Sequence, residues 1–169
     1  MKITGVTAPE AKLEVIDIEV KPDFEIDDEG KFTIFARTAN IGYTLCTLTA
    51  STGDGKRSSL DVVLERPTTE AEYTSQAWEF VYDDMVREPS LHNGRIFLLT
   101  GKVVDILSLD GKHTFILDMS TSETAKQLVY VEYWGSMKLE EGQHLKIFGN
   151  RWGNKDNMPR ILTQFMYKI

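Results

Sequence analysis

Residues 93–169 read NGRIFLLTGKVVDILSLDGKHTFILDMSTSETAKQLVYVEYWGSMKLEEGQHLKIFGNRWGNKDNMPRILTQFMYKI, and five strand-like runs lie within them. The runs cover 96–107, 112–119, 127–134, 143–151 and 160–168. Each is rich in the apolar, β-branched and aromatic residues that are typical of β-strands. Five strands in about 75 residues are the size of a small closed barrel. The stretch therefore predicts a five-stranded barrel.

The links between these runs carry their own signals. Asp110-Gly111 predicts a two-residue type I′ hairpin turn, in which both residues need φ > 0. Residues 152–158 predict a longer loop that carries a ring, Trp152, and a cation, Lys155. Gly101 and Gly149 stand where strands of a small barrel must bend sharply, at positions that disfavour a Cβ.

The N-terminal part has a different pattern. Residues 1–12 show no periodicity and predict a loose arm, whereas 13–20, 31–39, 43–51 and 60–64 predict strands. Strands without intervening helices indicate an antiparallel β unit over 1–66, either sandwich-like or a partial barrel. The acidic segment 23–30 raises the possibility of calcium. It fails the EF-hand template, with Asp28 at the glycine position and Ile34 at position twelve, and so predicts a solvated turn.

Between the two β regions the period changes to that of a helix. Thr69 and Glu72 form a capping box, and apolar side chains recur with helical spacing. The members of this stripe are Tyr73, Ala77, Phe80, Val81 and Met85, widened by Trp78 and Tyr82. The pattern predicts one linking α-helix within 67–92, packed as core, followed by a barrel domain at 93–169.

Charge and composition narrow the function. The net charge is −7, with nine Lys and Arg against 18 Asp and Glu in residues 1–89, and ten against eight in 90–169. An acidic chain does not coat nucleic acid by charge alone, but a local basic surface on the second half is compatible with these numbers. The single cysteine, Cys46, cannot form an internal disulfide and predicts a buried small residue.

The sequence lacks the signals that are typical of membrane proteins, exported proteins and several classes of enzyme. No apolar run reaches the roughly 20 residues that span a bilayer, and the N-terminus lacks the apolar core of a signal peptide. We therefore predict a cytoplasmic protein without a membrane partner; export would need a signal outside this sequence. No phosphate loop, nucleophile elbow or metal-binding helix occurs, and the three histidines lack ligand spacing, which predicts a non-enzyme without metal or cofactor.

The second half carries a resemblance to a known family. After the predicted helix, Thr100-Gly101-Lys102-Val103 occupies the place of the step that ends the first strand in a known family, and residues 139–149, LEEGQHLKIFG, occupy the place of the segment that introduces the fourth strand. In this order the residues resemble the tRNA-anti-like family of OB-folds, over roughly the last 100 residues. The resemblance implies a C-terminal five-stranded OB-fold barrel and nucleic-acid binding. The chain departs from the lipoprotein members of that family because it has no lipobox cysteine.

Alternation in the third run predicts which side chains face outward. Val129, Val131 and Tyr133 form the better core set, so Tyr130, Glu132 and Trp134 are expected on the outer face, where OB-folds bind ligands. Single-strand binding needs rings for stacking and cations for phosphates. The candidate nucleic-acid-binding residues are Lys112, His113, Tyr130, Trp134, Arg151, Trp152, Lys155 and Arg160.

We thus predict a mainly β, non-catalytic protein that binds single-stranded DNA or RNA. A competing prediction is a protein-interaction or assembly module, in which the acidic N-terminal unit meets a partner and the barrel is a scaffold. A third, an oligosaccharide-binding OB domain, would use exposed tryptophans without cations. Each step from fold to ligand is an analogy, because one fold hosts many functions.

Overall fold

The computed structural model describes residues 1–20, 25–122 and 125–169. The chain is mainly β and divides into two compact units, unit 1 at Met1–Arg66 and unit 2 at Pro67–Ile169. The strands and helices of unit 1 and unit 2 are, in order, β1 Lys2–Val6, β2 Lys12–Ile16, β3 Glu19–Val20, β4 Lys31–Arg37, β5 Gly42–Ser51, β6 Arg57–Arg66, α1 Glu70–Ser75, β7 Trp78–Glu79, α2 Tyr82–Arg87, β8 Ile96–Ser108, β9 His113–Asp118, β10 Leu128–Tyr133, β11 His144–Lys155 and β12 Met158–Lys168.

Unit 1 contains two antiparallel three-stranded sheets, with strand orders β1-β4-β3 and β2-β5-β6. Both sheets contribute to one core cluster. Its members are Ile3, Phe32, Ile34, Ala36, Cys46, Leu48 and Leu64. Shared apolar burial between two sheets is the arrangement of a sandwich. Cys46 is fully buried, and burial, together with Asp17 and Asp61, raises the pKa of its thiol to about 11.

The N-terminus of unit 1 differs from the loose arm predicted for 1–12. Lys2–Val6 is a strand that pairs with β4 from Lys2 opposite Phe35 to Val6 opposite Lys31, and β2 begins at Lys12. The prediction was wrong because only Ile3 in β1 is buried, so the segment has no apolar periodicity and is held by its neighbour's backbone. The predicted strand at 13–20 is interrupted at Asp17, whose φ is 74°.

The acidic segment is described from residue 25 onward, and the part of the predicted turn at 23–24 lies outside the described residues. Within it, Asp27 Oδ1 accepts the backbone N–H groups of Glu29 and Lys31, and Gly30 has φ 80°. These bonds form a tight turn with local partners. In the described part of the chain, no three His, Cys, Asp or Glu side chains form a group that could hold a metal ion.

Unit 2 is a closed five-stranded barrel, as the sequence predicts for its C-terminal part. The strand order is β8-β9-β10-β12-β11, and β11 pairs back with β8 to close it. All these pairs are antiparallel except β10 with β12. The barrel core is formed by inward side chains of every strand, joined by Phe80 and Met85 from the segment before β8. A closed barrel of five strands in this order is compatible with the OB type that the sequence predicts.

Two glycines permit close approach of neighbouring strands in the barrel. A Cβ at Gly101 would lie 2.6 Å from the carbonyl oxygen of Asp118, and one at Gly149 would lie 2.8 Å from that of Leu162. The register of β11 against β12 shifts between Phe148 and Gly149. The positions predicted to disfavour a Cβ are therefore ones where a side chain would meet backbone atoms.

Two connections between antiparallel strands of the barrel differ from their predicted turns. The connection between β8 and β9 spans four residues, 109–112, and of Asp110 and Gly111 only the glycine has positive φ, 66°. By contrast, β11 and β12 are joined by a two-residue turn, Asp156 and Asn157, with φ 50° and 63°. The long loop predicted at 152–158 is thus mostly strand, because Asp and Asn tolerate the left-handed region.

The single helix predicted within 67–92 is replaced by α1, β7 and α2. Thr69 caps α1 as expected, its Oγ1 accepting the backbone N–H of Glu72 at 3.2 Å. The helix ends because Trp78 and Glu79 pair in parallel with Phe97 and Leu98 of β8. This edge of β8 is open there, since the pairing of β9 with β8 stops at Lys102. Backbone bonds to this sheet edge replace helical ones. No helix among the described residues has the length and apolar character needed to cross a membrane.

Candidate nucleic-acid interface

We define the outer face of the barrel as the outward side chains on β9, β10 and β12. Val129 and Val131 point into the core, as predicted, so Tyr130 and Glu132 point outward. In the sheet Tyr130 lies between Ile116 and Arg160, and Glu132 between Thr114 and Leu162. The members of the outer face are Thr114, Ile116, Asp118, Leu128, Tyr130, Glu132, Arg160 and Leu162.

Glu132 lies at the centre of an ion-pair network on the outer face. Its side chain is 3% exposed. Lys112 Nζ lies 2.7 Å from Oε1, and Arg160 Nη2 lies 3.2 Å from Oε1 and 3.0 Å from Oε2. A buried carboxylate needs such partners, since an unpaired one would be costly. Two of the predicted phosphate-binding cations thus neutralise a carboxylate of the protein, and the three groups together carry one positive charge.

Trp134, which immediately follows β10, is the accessible ring among the predicted residues. It is 37% exposed, and Lys112 Nζ lies 5.6 Å from the ring centroid. Lys112 therefore contacts both Glu132 and the face of Trp134. A cation above an indole is an attractive arrangement and restricts the orientation of the ring. This ring and this cation lie together at one end of the outer face, and Lys112 is also paired with Glu132.

Tyr130 and His113 were predicted to stack on bases, but neither ring is fully exposed to solvent. Tyr130 is on the outer face but is buried, and burial, followed by the charge of Glu132, raises the pKa of its hydroxyl. His113 is half-buried and lies opposite Tyr133 on the inward side of the sheet, with ring centroids 6.2 Å apart. Phe115, the nearest other ring on β9, is fully buried in the barrel core.

Arg151 and Trp152 are also buried, contrary to the prediction of an exposed loop. Trp152 is 5% exposed and Arg151 is fully buried. The guanidinium of Arg151 donates to the Asn154 side-chain oxygen at 2.6 Å and to the Met85 carbonyl in α2 at 3.4 Å. Burial lowers the pKa of Arg151 to about 10. Both residues support the barrel, because β11 extends to Lys155 and includes them.

The accessible candidates are divided between the two ends of the outer face. Trp134 and Lys112 lie at the end where β10 finishes and β9 begins. The turn at 156–157 and the exposed Lys155 lie at the other end. β12 begins just after this turn and runs parallel to β10, with Arg160 opposite Tyr130, so the turn lies beside the start of β10. Leu128 and Trp134 are six positions apart along β10 and the residue after it, which corresponds to about 20 Å. A ligand that contacts both ends must cross the whole face.

Two cations beside this face were not predicted from the sequence as binding residues. Lys102 on β8 and Lys126, which precedes β10, lie near Asp118 at the end of the face opposite Trp134. Lys102 belongs to the Thr-Gly-Lys step that carried the family resemblance, where it was given no binding role. Alternation along β8 from the buried Leu99 and Val103 would place Lys102 outward, and this was the available signal.

Comparison with known proteins adds no further assignment: no model of a known protein family matches the chain, and no curated protein is significantly similar to it. The resemblance to the tRNA-anti-like family therefore stays a prediction.

Proposed function

We propose that unit 2 binds single-stranded nucleic acid, with one base stacked on Trp134 and its phosphate near Lys112. The observation that carries this proposal is the exposed indole with a cation 5.6 Å from its centroid, at the end of the outer face. Stacking on an aromatic ring does not depend on base identity, because every base has a π-face. A nearby ammonium group is a suitable partner for the adjacent phosphate.

The fold and the charge of the face are compatible with this function. Five-stranded OB barrels bind oligonucleotides and oligosaccharides on the corresponding strands, although the fold also hosts other activities. Lys112, Arg160 and Glu132 together leave one positive charge at the face. Lys126 balances Asp118, and at the far end the formal charges of Lys155 and Asp156 cancel. With one accessible predicted ring, we expect weak binding and little sequence preference.

The test is a fluorescence anisotropy titration of the full chain against labelled oligo-dT and oligo-rU at two salt concentrations. Trp134→Ala should weaken binding by about 1–3 kcal/mol, the value of one base stack. The matched control is Trp78→Ala, since Trp78 is 61% exposed and also has a cation, Arg95, 4.8 Å from its centroid. Trp78 is on β7 beside β8, away from the outer face, and its loss should leave the affinity unchanged.

Two results contradict the proposal. One is the absence of salt-sensitive binding at tens of micromolar protein. The other is equal affinity of the Trp134→Ala variant and the unaltered protein.

A protein-interaction role is the second candidate, favoured by the surface of the segment before β8. Trp78, Val81 and Val86 are each about half exposed or more, in a segment (67–89) with six acidic residues and one basic residue. Exposed apolar side chains among carboxylates suit a partner with apolar and basic groups. Failure to bind any oligonucleotide, together with loss of partner capture in Trp78→Ala, would favour this role.

A further inference from the structure

A polar pocket lies on the barrel wall at the end of the outer face opposite Trp134. Its volume is about 360 Å³, within the range of small-ligand sites. It is formed by β8, the end of β9, the residues that follow β9, and the start of β11. The residues that line it are Thr100, Gly101, Lys102, Asp118, Met119, Ser120, Thr121, Ser122, Lys126, His144 and Ile169.

The charges in the pocket favour an anion. Asp118 is the one side-chain carboxylate among the described residues that line the pocket. It is already paired, with Lys126 Nζ 2.9 Å from Oδ2 and the Ser120 backbone N–H donating to Oδ1 at 2.9 Å. Burial alone would raise the pKa of Asp118, but the bonds from Ser120 and Lys126 outweigh it and lower the pKa to about 2. Asp118 is therefore ionised at neutral pH and fixes the position of Lys126.

Two further basic side chains face the pocket from neighbouring strands. Lys102 on β8 is paired in the sheet with both Asp118 of β9 and His144 of β11, so the three side chains are adjacent. Lys102 is exposed and makes no ion pair with any described residue. Among the described side chains that line the pocket, Lys126 is balanced by Asp118, and Lys102 has no paired carboxylate. An anion would supply the missing partner.

Hydroxyl groups complete the polar lining. Thr100, Ser120, Thr121 and Ser122 each carry a hydroxyl that can donate to an oxygen acceptor. Several donors around a cation suit an anion with several oxygens, as in phosphate, better than a single carboxylate. The volume is large enough for a phosphate group with the sugar to which it is esterified.

We propose that this pocket binds a phosphate monoester, with Lys102 as its main cationic contact and Lys126, His144 and the hydroxyls of Thr100 and Ser120 around it. The source of the phosphate is either a small sugar phosphate or the terminal phosphate of a single strand. The second source rests on the proposed function. In that case the strand runs about 20 Å across the outer face, from a base on Trp134 to its terminal phosphate in the pocket.

The experiment uses the full chain and three probes: ribose 5-phosphate, a 5′-phosphorylated oligo-dT, and the same oligo-dT with a 5′-hydroxyl. Ribose 5-phosphate is titrated by NMR, with the Ser120 amide and the His144 ring as reporters. The oligonucleotides are titrated by anisotropy. We expect ribose 5-phosphate to shift both reporters, and the 5′-phosphate to increase oligonucleotide affinity.

Lys102→Met removes the exposed cation and preserves most of the side chain's length. We expect it to weaken ribose 5-phosphate binding by about tenfold, as for loss of a hydrogen bond to a charged group. For the phosphorylated oligonucleotide, the slope of log affinity against log salt should fall by about 0.7. The matched control is Lys138→Met, whose lysine is 83% exposed and pairs with Glu140 outside the pocket; it should change neither value.

The outcomes separate this inference from the proposed function. If ribose 5-phosphate binds and no oligonucleotide does, the pocket stands and single-strand binding fails. If both oligonucleotides bind equally and ribose 5-phosphate shifts no reporter, single-strand binding stands and the pocket proposal fails. Equal affinity of Lys102→Met and Lys138→Met for ribose 5-phosphate also overturns it.

Discussion

Glu132 has the largest single influence on what the outer face can bind. Its carboxylate holds Lys112 and Arg160 within 3.2 Å, and both were predicted to contact phosphates. Alternation along β10 predicts that Glu132 faces outward like Tyr130. It does not predict that Arg160 from β12 and Lys112 from the turn before β9 both reach the Glu132 carboxylate. The same ion pairs that stabilise the face therefore limit its attraction for polyanions.

We expect Glu132→Gln to change stability and binding in opposite directions. Loss of the carboxylate leaves Arg160 without its charged partner and should lower the free energy of unfolding by about 1–3 kcal/mol. The added positive charge should strengthen oligonucleotide binding by about threefold at low salt, since a unit charge about 7 Å away contributes about 0.6 kcal/mol in water. Urea unfolding and anisotropy measure the two effects.

The control for this prediction is Glu140→Gln, which removes a carboxylate that is 62% exposed and paired with Lys138. It should leave both quantities nearly unchanged. Weaker oligonucleotide binding by a folded Glu132→Gln variant would show that the outer face does not bind the strand.

Arg151 and Trp152 show why residue type alone misidentified part of the site. An arginine and a tryptophan near a Gly- and Asn-containing segment have the composition of a binding loop, yet both are buried. Arg151 instead donates to the carbonyl of Met85 in α2, 66 positions earlier in the chain. Such a contact satisfies a helix-terminal carbonyl and has no local sequence signal.

The hairpin between β11 and β12 depends on two consecutive residues in the left-handed region. Asp156 and Asn157 have φ 50° and 63°, values that most side chains adopt only with strain. The turn keeps β11 continuous through Trp152 and Lys155, so it also determines that Trp152 belongs to a strand. A looser connection would have allowed the exposed loop that the sequence suggested.

Substitutions at Asn157 test this turn. Asn157→Ala should lower the free energy of unfolding of unit 2 by about 1–2 kcal/mol, because alanine lacks the short polar side chain whose local hydrogen bonds let asparagine adopt the left-handed conformation. Asn157→Gly should leave it unchanged or raise it slightly, because glycine adopts this φ without strain. Urea unfolding followed by tryptophan fluorescence reports unit 2, since all three tryptophans lie there.

Asp110→Ala is the matched control, because Asp110 lies in the other hairpin of the barrel and does not have positive φ. Its effect should be within about 0.5 kcal/mol. If Asn157→Ala and Asp110→Ala are equally stable, the left-handed turn contributes nothing to the barrel.

The segment before β8 shows how a tertiary contact overrides helical periodicity. Tyr73, Phe80 and Met85 are buried as the predicted stripe requires, whereas Trp78 and Val81 are exposed. The chain leaves the helix at 77–81 because β8 offers backbone groups beside Phe97 and Leu98 that β9 does not reach. The backbone N–H and C=O groups of an unpaired strand edge need hydrogen-bond partners, and the short parallel strand β7 supplies them to this part of β8.

Across the whole molecule, each unit has a core of its own. The barrel cluster runs from Phe80 to Met166, and the sandwich cluster from Ile3 to Leu64. The division at Arg66 and Pro67 follows the change from strand alternation to helical spacing. A separate core is the physical requirement for a unit that folds by itself.

We therefore expect a fragment comprising residues 67–169 to fold without residues 1–66. Its far-UV circular dichroism should show β structure, and its tryptophan fluorescence should report a cooperative urea transition, since the barrel core lies entirely within it. If the proposed site is complete in unit 2, the fragment should also bind oligo-dT within about twofold of the full chain's affinity. A fragment that lacks a cooperative transition would show that unit 2 depends on the rest of the chain.

Local periodicity was sufficient to predict the strands of the barrel and the two sides of β10, because alternation with period two depends only on neighbouring residues. It also placed the core stripe at Tyr73, Phe80 and Met85. Three features depend on contacts between residues far apart in sequence: the strand β1, the break between α1 and α2, and the burial of Arg151 and Trp152. The pairing of Lys112 and Arg160 with Glu132 is of the same kind, since 20 and 28 positions separate them from it. Sequence pattern reports which side of an element is apolar, but the accessibility of a ring or a cation depends on what the folded chain places against it.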